Sequence, residues 1–362
     1  MVKAALDRAG VEAGAVEHTV VGNVIHTEPR DMYISRVAAM QAGVPEGAPA
    51  LTVNRLCGSG LQAIVSAAQH LMLGDHEVAV AGGAESMSRS PHSTQSIRTG
   101  QKMGEVAFAD MMLGALHDPF GHGHMGVTAE NVAKAHGIDR RAQDEVAVRS
   151  HNRAERARDA GIFAPQIAPL TVRQKRKEVS FDTDEHIREG ATMADLERLR
   201  PVFDKAGSVT AGNASGINDG AAAVVLMTEA RAEREGRIPM ARILGYAHAG
   251  VSPDRMGLGP IPAVRKLVDK LGMKVGDFDV IESNEAFASQ CEAVARELGL
   301  DPEKTNPHGG AIALGHPVGA TGAILTVKTL YELRRTGGRL GLVTMCIGGG
   351  QGIAMALERI AG

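Results

Sequence analysis

The sequence predicts an α/β protein built from two related halves, with an inserted segment between them. Three observations carry that prediction. Apolar strand-like runs alternate with amphipathic helical runs, the pattern of parallel strands joined by crossover helices. The order of those runs recurs in the second half of the chain. A stretch between the halves, richer in charge, histidine and proline, interrupts the alternation.

The elements follow in order. "AALDRAGVEAGAVEHTVVGNVI" (4–25) reads as helix, glycine turn, acidic turn and a strand ending near an asparagine. "LTVNRLCGSGLQAIVSAAQHL" (51–71) is an extended apolar run, then Cys57 and Gly-Ser-Gly, then a helix over 61–73. "HEVAVAGGAES" (76–86) is a short buried strand ending in glycines. The insert follows, with helical stretches "TAENVAKAHG" and "RAQDEVAVRSHNRAERARDAG". "INDGAAAVVLMTEA" (217–230) returns to a buried strand that closes the first half. The second half opens with a strand, "MARILGYAHAG" (240–250). Then "KLVDKLGMKVGDFDVIESNEAF" (266–287) repeats the pattern of 4–25. "GHPVGATG" leads into the helix "GAILTVKTLYELRR" (322–335), and "GLVTMCIGGG" (341–350) is the matching buried strand. The expected units are 1–86 with 217–237 as the N-terminal half, 87–216 as the insert, and 238–362 as the C-terminal half. The first half has no counterpart of the strand at 240–250. The sequence is therefore expected to be short at its N-terminus by roughly one strand and a loop. A sheet lacking that strand would expose hydrogen-bonding edges and core surface.

Composition removes several function classes. A chain of 362 residues implies two or three domains. Its 39 basic and 42 acidic residues are interspersed, so neither a nucleic-acid nor a membrane-surface partner is indicated. No apolar run approaches the roughly 18 residues of a membrane helix. The start reads as helix and turn rather than a targeting peptide, and a cytoplasmic protein is expected. Three scattered cysteines make neither a disulfide framework nor a metal cluster. His122 and His124, with no third ligand, are a poor metal site. A dinucleotide is not indicated either, because no acidic residue follows Gly322 at about 20 positions.

Cys57 lies at a strand-to-helix junction, where a helix N-terminus lowers a thiol pKa and flanking glycines admit a substrate. The competing reading is an inert buried cysteine. Cys346 ends an apolar strand before three glycines, at the carboxyl edge where ligands of parallel sheets bind. Cys291 falls mid-helix and reads as packed core. His316, fixed by Pro317 in a Gly-rich turn, suits a general base or oxyanion donor, or alternatively an interface histidine. In the repeat its turn corresponds to the Cys57 turn, and a pseudo-twofold arrangement brings the two together. Asn284, beside Glu285 at a strand end, could orient a water or cap a helix. The basic run 173–178 and Arg188 read as a solvated face or as a contact to a phosphorylated ligand.

Taken together, "NRLCGSGLQAI", "AGGAESMS", "HMGVTAENVA", "TAGNASGIND", "NEAFA", "GGAIALGHPVGATGA" and "MCIGGGQGIAM" resemble the type II thiolases, the acetyl-CoA C-acetyltransferases. The resemblance runs along the whole chain. Stretches such as "HTEPRDMY" and "DMMLGALHDPF" are also similar to bacterial β-ketothiolases of the polyhydroxyalkanoate pathway. The resemblance implies a thiolase fold, with two mixed sheets in αβαβα layering and an inserted loop domain. It implies reversible Claisen condensation of two acyl-CoA molecules, with coenzyme A as substrate and product and no further cofactor. Cys57 is then the acylated nucleophile, His316 takes its proton, and Cys346 is the acid/base at the α-carbon. Asn284 (through a water) and His316 form one oxyanion hole; the N–H groups of Cys57 and Gly348 form the other. Ser215, His124, Met125, Leu116, Phe203, Ala211, Ile217, Met256, Ala286 and Phe287 match acyl- and CoA-binding positions, and Arg188 matches a contact near the adenine. A homotetramer, a dimer of dimers with its contact near "GALHDPFGHGHMG", is the implied assembly. The sequence departs from the family pattern in three places: the missing strand, which the resemblance implies near the middle of the first sheet, His308 where Asn is usual, and Ser283 where Ala is usual. Ketoacyl synthases share the implied fold but lack the second cysteine. A truncated, inactive homologue that only binds CoA or a subunit is the remaining alternative.

Overall fold

The computed structural model describes residues 1–360. The elements that build the site are β1 (His18–Gly22), β2 (Ala50–Val53), β3 (Val78–Ser86), β4 (Asp219–Met227), β5 (Ala241–Gly250), β6 (Val280–Ser283), β7 (Leu340–Ile347) and β8 (Gln351–Arg359). The main helices are α1 (Val2–Ala9), α2 (Ile34–Gln41), α3 (Ser59–Leu73), α4 (Met125–His136), α5 (Arg140–Asp159), α6 (Pro260–Leu271), α7 (Ala288–Leu298) and α8 (Thr321–Thr336).

The first sheet has the order β4-β3-β1-β2 and the second β5-β8-β7-β6. In the first, β1 is parallel to β2 and β3, from His18 opposite Ala79 to Gly22 opposite Gly83, and β4 runs antiparallel to β3. In the second, β6 and β7 are parallel, while β8 is antiparallel to β7 and to β5. The two orders superimpose on the repeat seen in the sequence.

Burial dictates the layering. β1 and β7 are buried on both faces, as their unbroken apolar runs require. α3 buries Leu61, Ile64 and Leu71 and also Ala63, Val65, Ala67 and Ala68, so it is covered nearly all round. It shares one core with α8 and the inner faces of both sheets, including Val20, Ala81, Val343, Met345 and Met355. α6, by contrast, buries a stripe of Ile261, Val264 and Leu267. With Phe278 and Val294 that stripe covers the outer face of the second sheet. α1 and α2 cover the outer face of the first. The result is αβαβα.

α3 and α8 approach unusually closely at their N-terminal ends. A Cβ at Gly322 would stand 2.2 Å from Leu61 N, and one at Gly60 would stand 2.8 Å from Ala323 N. Only glycine permits that contact.

The structure corrects the expected place of the absent strand. β5 lies at an edge, beyond β8. The counterpart of β8 is β4, so the equivalent position in the first sheet is also an edge, not the middle. Among the described residues no strand pairs with the outer side of β4, which is only half-buried where β8 is buried. β3 and β1, which lead to the site, keep complete ladders.

The insert packs through α4 and α5 against α7 and the short helical turn Ala311–Leu314 of the second half. Its hairpin, Leu170–Gln174 with Lys177–Phe181, holds the basic run in solvent.

Candidate active site

Cys57 follows β2 and precedes α3. Its turn is wrapped by side chains: Leu56 N–H donates to Asn54 Oδ1 (2.9 Å), Arg55 N–H donates to Ser59 Oγ (2.8 Å), and Ser59 Oγ donates to Leu56 O (2.6 Å). These bonds hold Leu56 at φ 44°, a left-handed conformation that costs a leucine about 1–3 kcal/mol. The sharp turn leaves Cys57 partly exposed at the head of α3. Its electrostatics differ from the sequence expectation. Desolvation pushes the thiol above its ordinary value, while the N–H groups of Gly348 and of Cys57 itself pull it back. α3 begins at Ser59, so its N-terminal field does not overcome that burial.

Cys346 ends β7 and is fully buried. Burial and the neighbouring Cys57 push its thiol far up. The Gly348 N–H points at the Cys57 sulfur, so the two thiols and this amide share one pocket.

His316 enters from the turn before α8. Thr321 Oγ donates to Pro317 O (3.0 Å), so its lone pair accepts from His316 Nδ1–H (2.6 Å). This assigns the proton to Nδ1 and leaves Nε2 free as a base. Burial lowers the imidazole to about 4, so it is neutral at pH 7. The His316 N–H is held by Asn218 Oδ1 (3.0 Å). Asn284 is fully buried just after β6, with Nδ2 3.4 Å from His316 Nε2. Its Oδ1 has no partner. α7 starts four residues later, at Ala288, so Asn284 is not a helix cap. Glu285 points elsewhere: Ser150 Oγ (2.6 Å), Asn306 Nδ2 (3.0 Å) and Ile312 N–H (3.3 Å) bond it, fixing the 306–312 loop.

Beside these groups lies an apolar wall. Met125, Met256, Ala286, Phe287 and Cys346 form one buried cluster, with Phe203 packed against it. His124 stacks on Phe203 at 4.7 Å between ring centroids and accepts from Gly126 N–H through Nδ1 (3.0 Å). Leu116 joins this wall through its carbonyl, which accepts from Met125 N–H (2.8 Å). Ser215 Oγ donates to Ala286 O (3.1 Å). Three expected contacts lie at the surface: Ala211 and Ile217 are exposed, and Arg188 is exposed, its N–H on His151 Nδ1 (3.2 Å). Sequence reasoning missed Asn218, Thr321 and Glu85. Their only signal was proximity to motif glycines.

His308, one of the departures, bonds Glu332 through Nε2 (2.7 Å), and Arg335 flanks the same carboxylate, which is held down at about 2. Nearby, Lys328 Nζ donates to Glu282 (2.8 Å) and Gly309 O (2.7 Å) inside the core. No group of metal-ligating side chains occurs among the described residues.

Two family models cover almost the whole chain: the thiolase N-terminal domain over residues 1–230 and the thiolase C-terminal domain over 237–359. The chain belongs to the thiolase family. This thiolase is 60% identical over 361 residues to "Beta-ketothiolase BktB" of Cupriavidus necator, covering 99% of this chain and 92% of that protein. It is 51% identical to an acetyl-CoA acetyltransferase of Rhizobium meliloti, covering 99% and 91%. Among solved structures, human mitochondrial 3-ketoacyl-CoA thiolase in complex with CoA superimposes with a TM-score of 0.96 at 43% identity, covering 99% of this chain and 90% of that one. The thiolase fold expected from the sequence is thus the observed one.

Proposed function

We propose that this thiolase catalyses reversible condensation of two acetyl-CoA molecules to acetoacetyl-CoA, as an acetyl-CoA C-acetyltransferase or β-ketothiolase. The supporting observation is that two thiols share one pocket with the Gly348 amide, while a neutral imidazole faces a buried side-chain amide whose residue is bonded to the Cys346 strand. Acyl transfer through a thioester needs a nucleophile with a base; α-carbon deprotonation needs a second base.

In the first half-reaction Cys57 sulfur attacks the thioester carbonyl as its proton passes to His316 Nε2. Because burial disfavours a resting thiolate, transfer and attack are concerted. The Cys57 and Gly348 N–H groups take up the oxyanion. The C–S bond to CoA breaks, and the leaving sulfur takes the Cys346 proton. In the second half-reaction the Cys346 thiolate removes the α-proton of another acetyl-CoA. The enolate oxygen is held by His316 Nε2–H and a water on Asn284. The carbanion forms the C–C bond at the acyl carbonyl, and Cys57 leaves and recovers its proton from His316. Thiolysis runs these steps backwards. Met125, Phe203, Met256, Phe287 and the backbone at Ser215 suit the acyl and pantetheine portions; Arg188 suits the nucleotide end. CoA is substrate and product, with no other cofactor. The same proposal extends to a cytoplasmic homotetramer with a place in polyhydroxyalkanoate synthesis. No helix of the described residues is long and apolar enough to cross a membrane.

The test is CoA-dependent thiolysis of acetoacetyl-CoA, followed by loss of enolate absorbance, with Cys57→Ala as control. Turnover by the wild type and none by the variant is expected. Equal rates in both would remove Cys57 from the mechanism.

A further inference from the structure

We infer that Glu85 is a positioning residue: its ionised carboxylate locks the His316 turn of the second half onto the first half and thereby fixes His316 against Cys57. The inference rests on the thiolase reading above and adds a residue to it.

Glu85 ends β3 and is buried. Its Oε2 accepts from Val24 N–H (3.0 Å) and Gly319 N–H (3.0 Å), and its Oε1 from Ile25 N–H (3.1 Å) and Asn23 Nδ2 (3.2 Å). Both oxygens are thus occupied by two donors each. Val24, Ile25 and Asn23 belong to the loop after β1. Gly319 belongs to the second half, three residues after His316 and two before Thr321, the residue that sets the imidazole tautomer. The turn is tightly seated, because a Cβ at Gly319 would stand 2.7 Å from Glu85 Oε2. One carboxylate therefore ties β3, the loop after β1 and the catalytic turn to a single point.

Only an ionised carboxylate fits four donors. A protonated oxygen, or the NH2 of a glutamine, places a hydrogen against N–H groups and forfeits the bonds on that side. The partners are all neutral, and no cation pairs with Glu85 among the described residues. The titratable groups around it are Asp31, from the turn after β1, Cys57 at the head of α3, and His316 on the clamped turn. On the neighbouring strand, Asp219 bonds Ser86 and Ser88 instead. Desolvation outweighs the donors and raises Glu85 to about 6, whereas His316 itself sits near 4. An acid limb near pH 6 is therefore distinguishable from protonation of the base.

The experiment measures thiolysis of acetoacetyl-CoA between pH 5 and 8 by the wild type and by Glu85→Gln, each checked for its melting point. The expected wild-type kcat falls below about pH 6. Glu85→Gln is expected to lose at least tenfold in kcat at pH 7.5, to keep KM within about twofold, and to lack the limb near 6. A glutamate that merely stabilised the fold would lower the melting point and leave the limb in place. Wild-type kcat in the variant, or retention of its limb near 6, overturns the inference. Hydrogen exchange of the peptide 315–321 in the wild type needs no variant. After correction for intrinsic rates, its protection is expected to drop at least tenfold between pH 7 and 5; unchanged protection overturns the inference. Absence of thiolysis by the wild type would instead remove the functional reading on which it rests.

Discussion

Replacing Lys328 by methionine tests how the catalytic loop is supported from below. Lys328 on α8 is 5% exposed, and its Nζ makes two bonds, to Glu282 Oε2 at 2.8 Å and to Gly309 O at 2.7 Å. Glu282, two residues before Asn284, is fully buried, and its Oε1 already has no partner. Methionine fills the volume but strands that carboxylate. Removing one member of a buried pair costs about 3–5 kcal/mol, mainly from the uncompensated charge. At roughly 2 °C per kcal/mol for a large chain, the melting midpoint at pH 7.5 should drop by about 6–10 °C. Lys328→Met/Glu282→Gln removes the charge and should recover most of the loss, leaving about 1 kcal/mol for the Gly309 carbonyl. The pH dependence has a definite sign. Desolvation raises Glu282, and Lys328 pulls it back. Without Lys328 the folded-state value rises further above the unfolded 4.5, so the variant stays stable below the unfolded value and loses stability as pH climbs toward the folded one. Its deficit against the wild type should therefore shrink on going from pH 7.5 to 5. Thermal melts of the four proteins of the cycle at both pH values make the test. A deficit independent of pH, or a double variant no better than the single one, refutes the charge argument.

Other substitutions probe the site directly. Thr321→Val removes the acceptor that holds the His316 proton on Nδ1; kcat should fall by about 10- to 100-fold with KM nearly unchanged, by steady-state kinetics. Cys346→Ala should still be acylated at Cys57 by labelled acetyl-CoA, seen by mass spectrometry, yet release no acetoacetyl-CoA. A Cβ at Gly126 would stand 2.1 Å from the Phe203 ring, so Gly126→Ala must displace Phe203 from His124. About 1–3 kcal/mol of overpacking should raise KM for acetoacetyl-CoA by about 5- to 150-fold.

The two-half plan was legible because it is written twice: the run from helix to strand at 4–25 and again at 266–287 became α1–β1 and α6–β6. Cys57, Cys346 and His316 were legible because each stands beside glycines at the end of an element, where periodicity stops. The protonation states were not. Cys57 looked activated by a helix end, but desolvation depends on what packs above it, and those residues come from β7 and the glycines after it, nearly 300 positions away. Glu85, Asn218 and Thr321 were invisible for a related reason, since each acts on a partner brought to it by the docking of the halves or by a turn whose shape the sequence does not state. The place of the absent strand was misjudged because strand order in a mixed sheet follows from pairing, which a linear pattern does not specify. Ala211, Ile217 and Arg188, carried over from the family, lie on exposed segments whose approach to a ligand no local pattern fixes.

The close crossing of α3 and α8 has a consequence for how such a molecule can be built and altered. The helix behind the nucleophile and the helix behind the imidazole touch backbone to backbone through Gly60 and Gly322, inside a core that both sheets line. Neither half owns the reaction centre, and neither can be exchanged, loosened or shortened without shifting the other's contribution to it. Chemistry begins only once the seam has closed, because the first half carries Cys57 while the second carries His316, Asn284 and Cys346. The same contact limits drift: a methyl group at either glycine would pry the reagents apart from the back, far from any substrate, and would silence the enzyme without touching one catalytic atom.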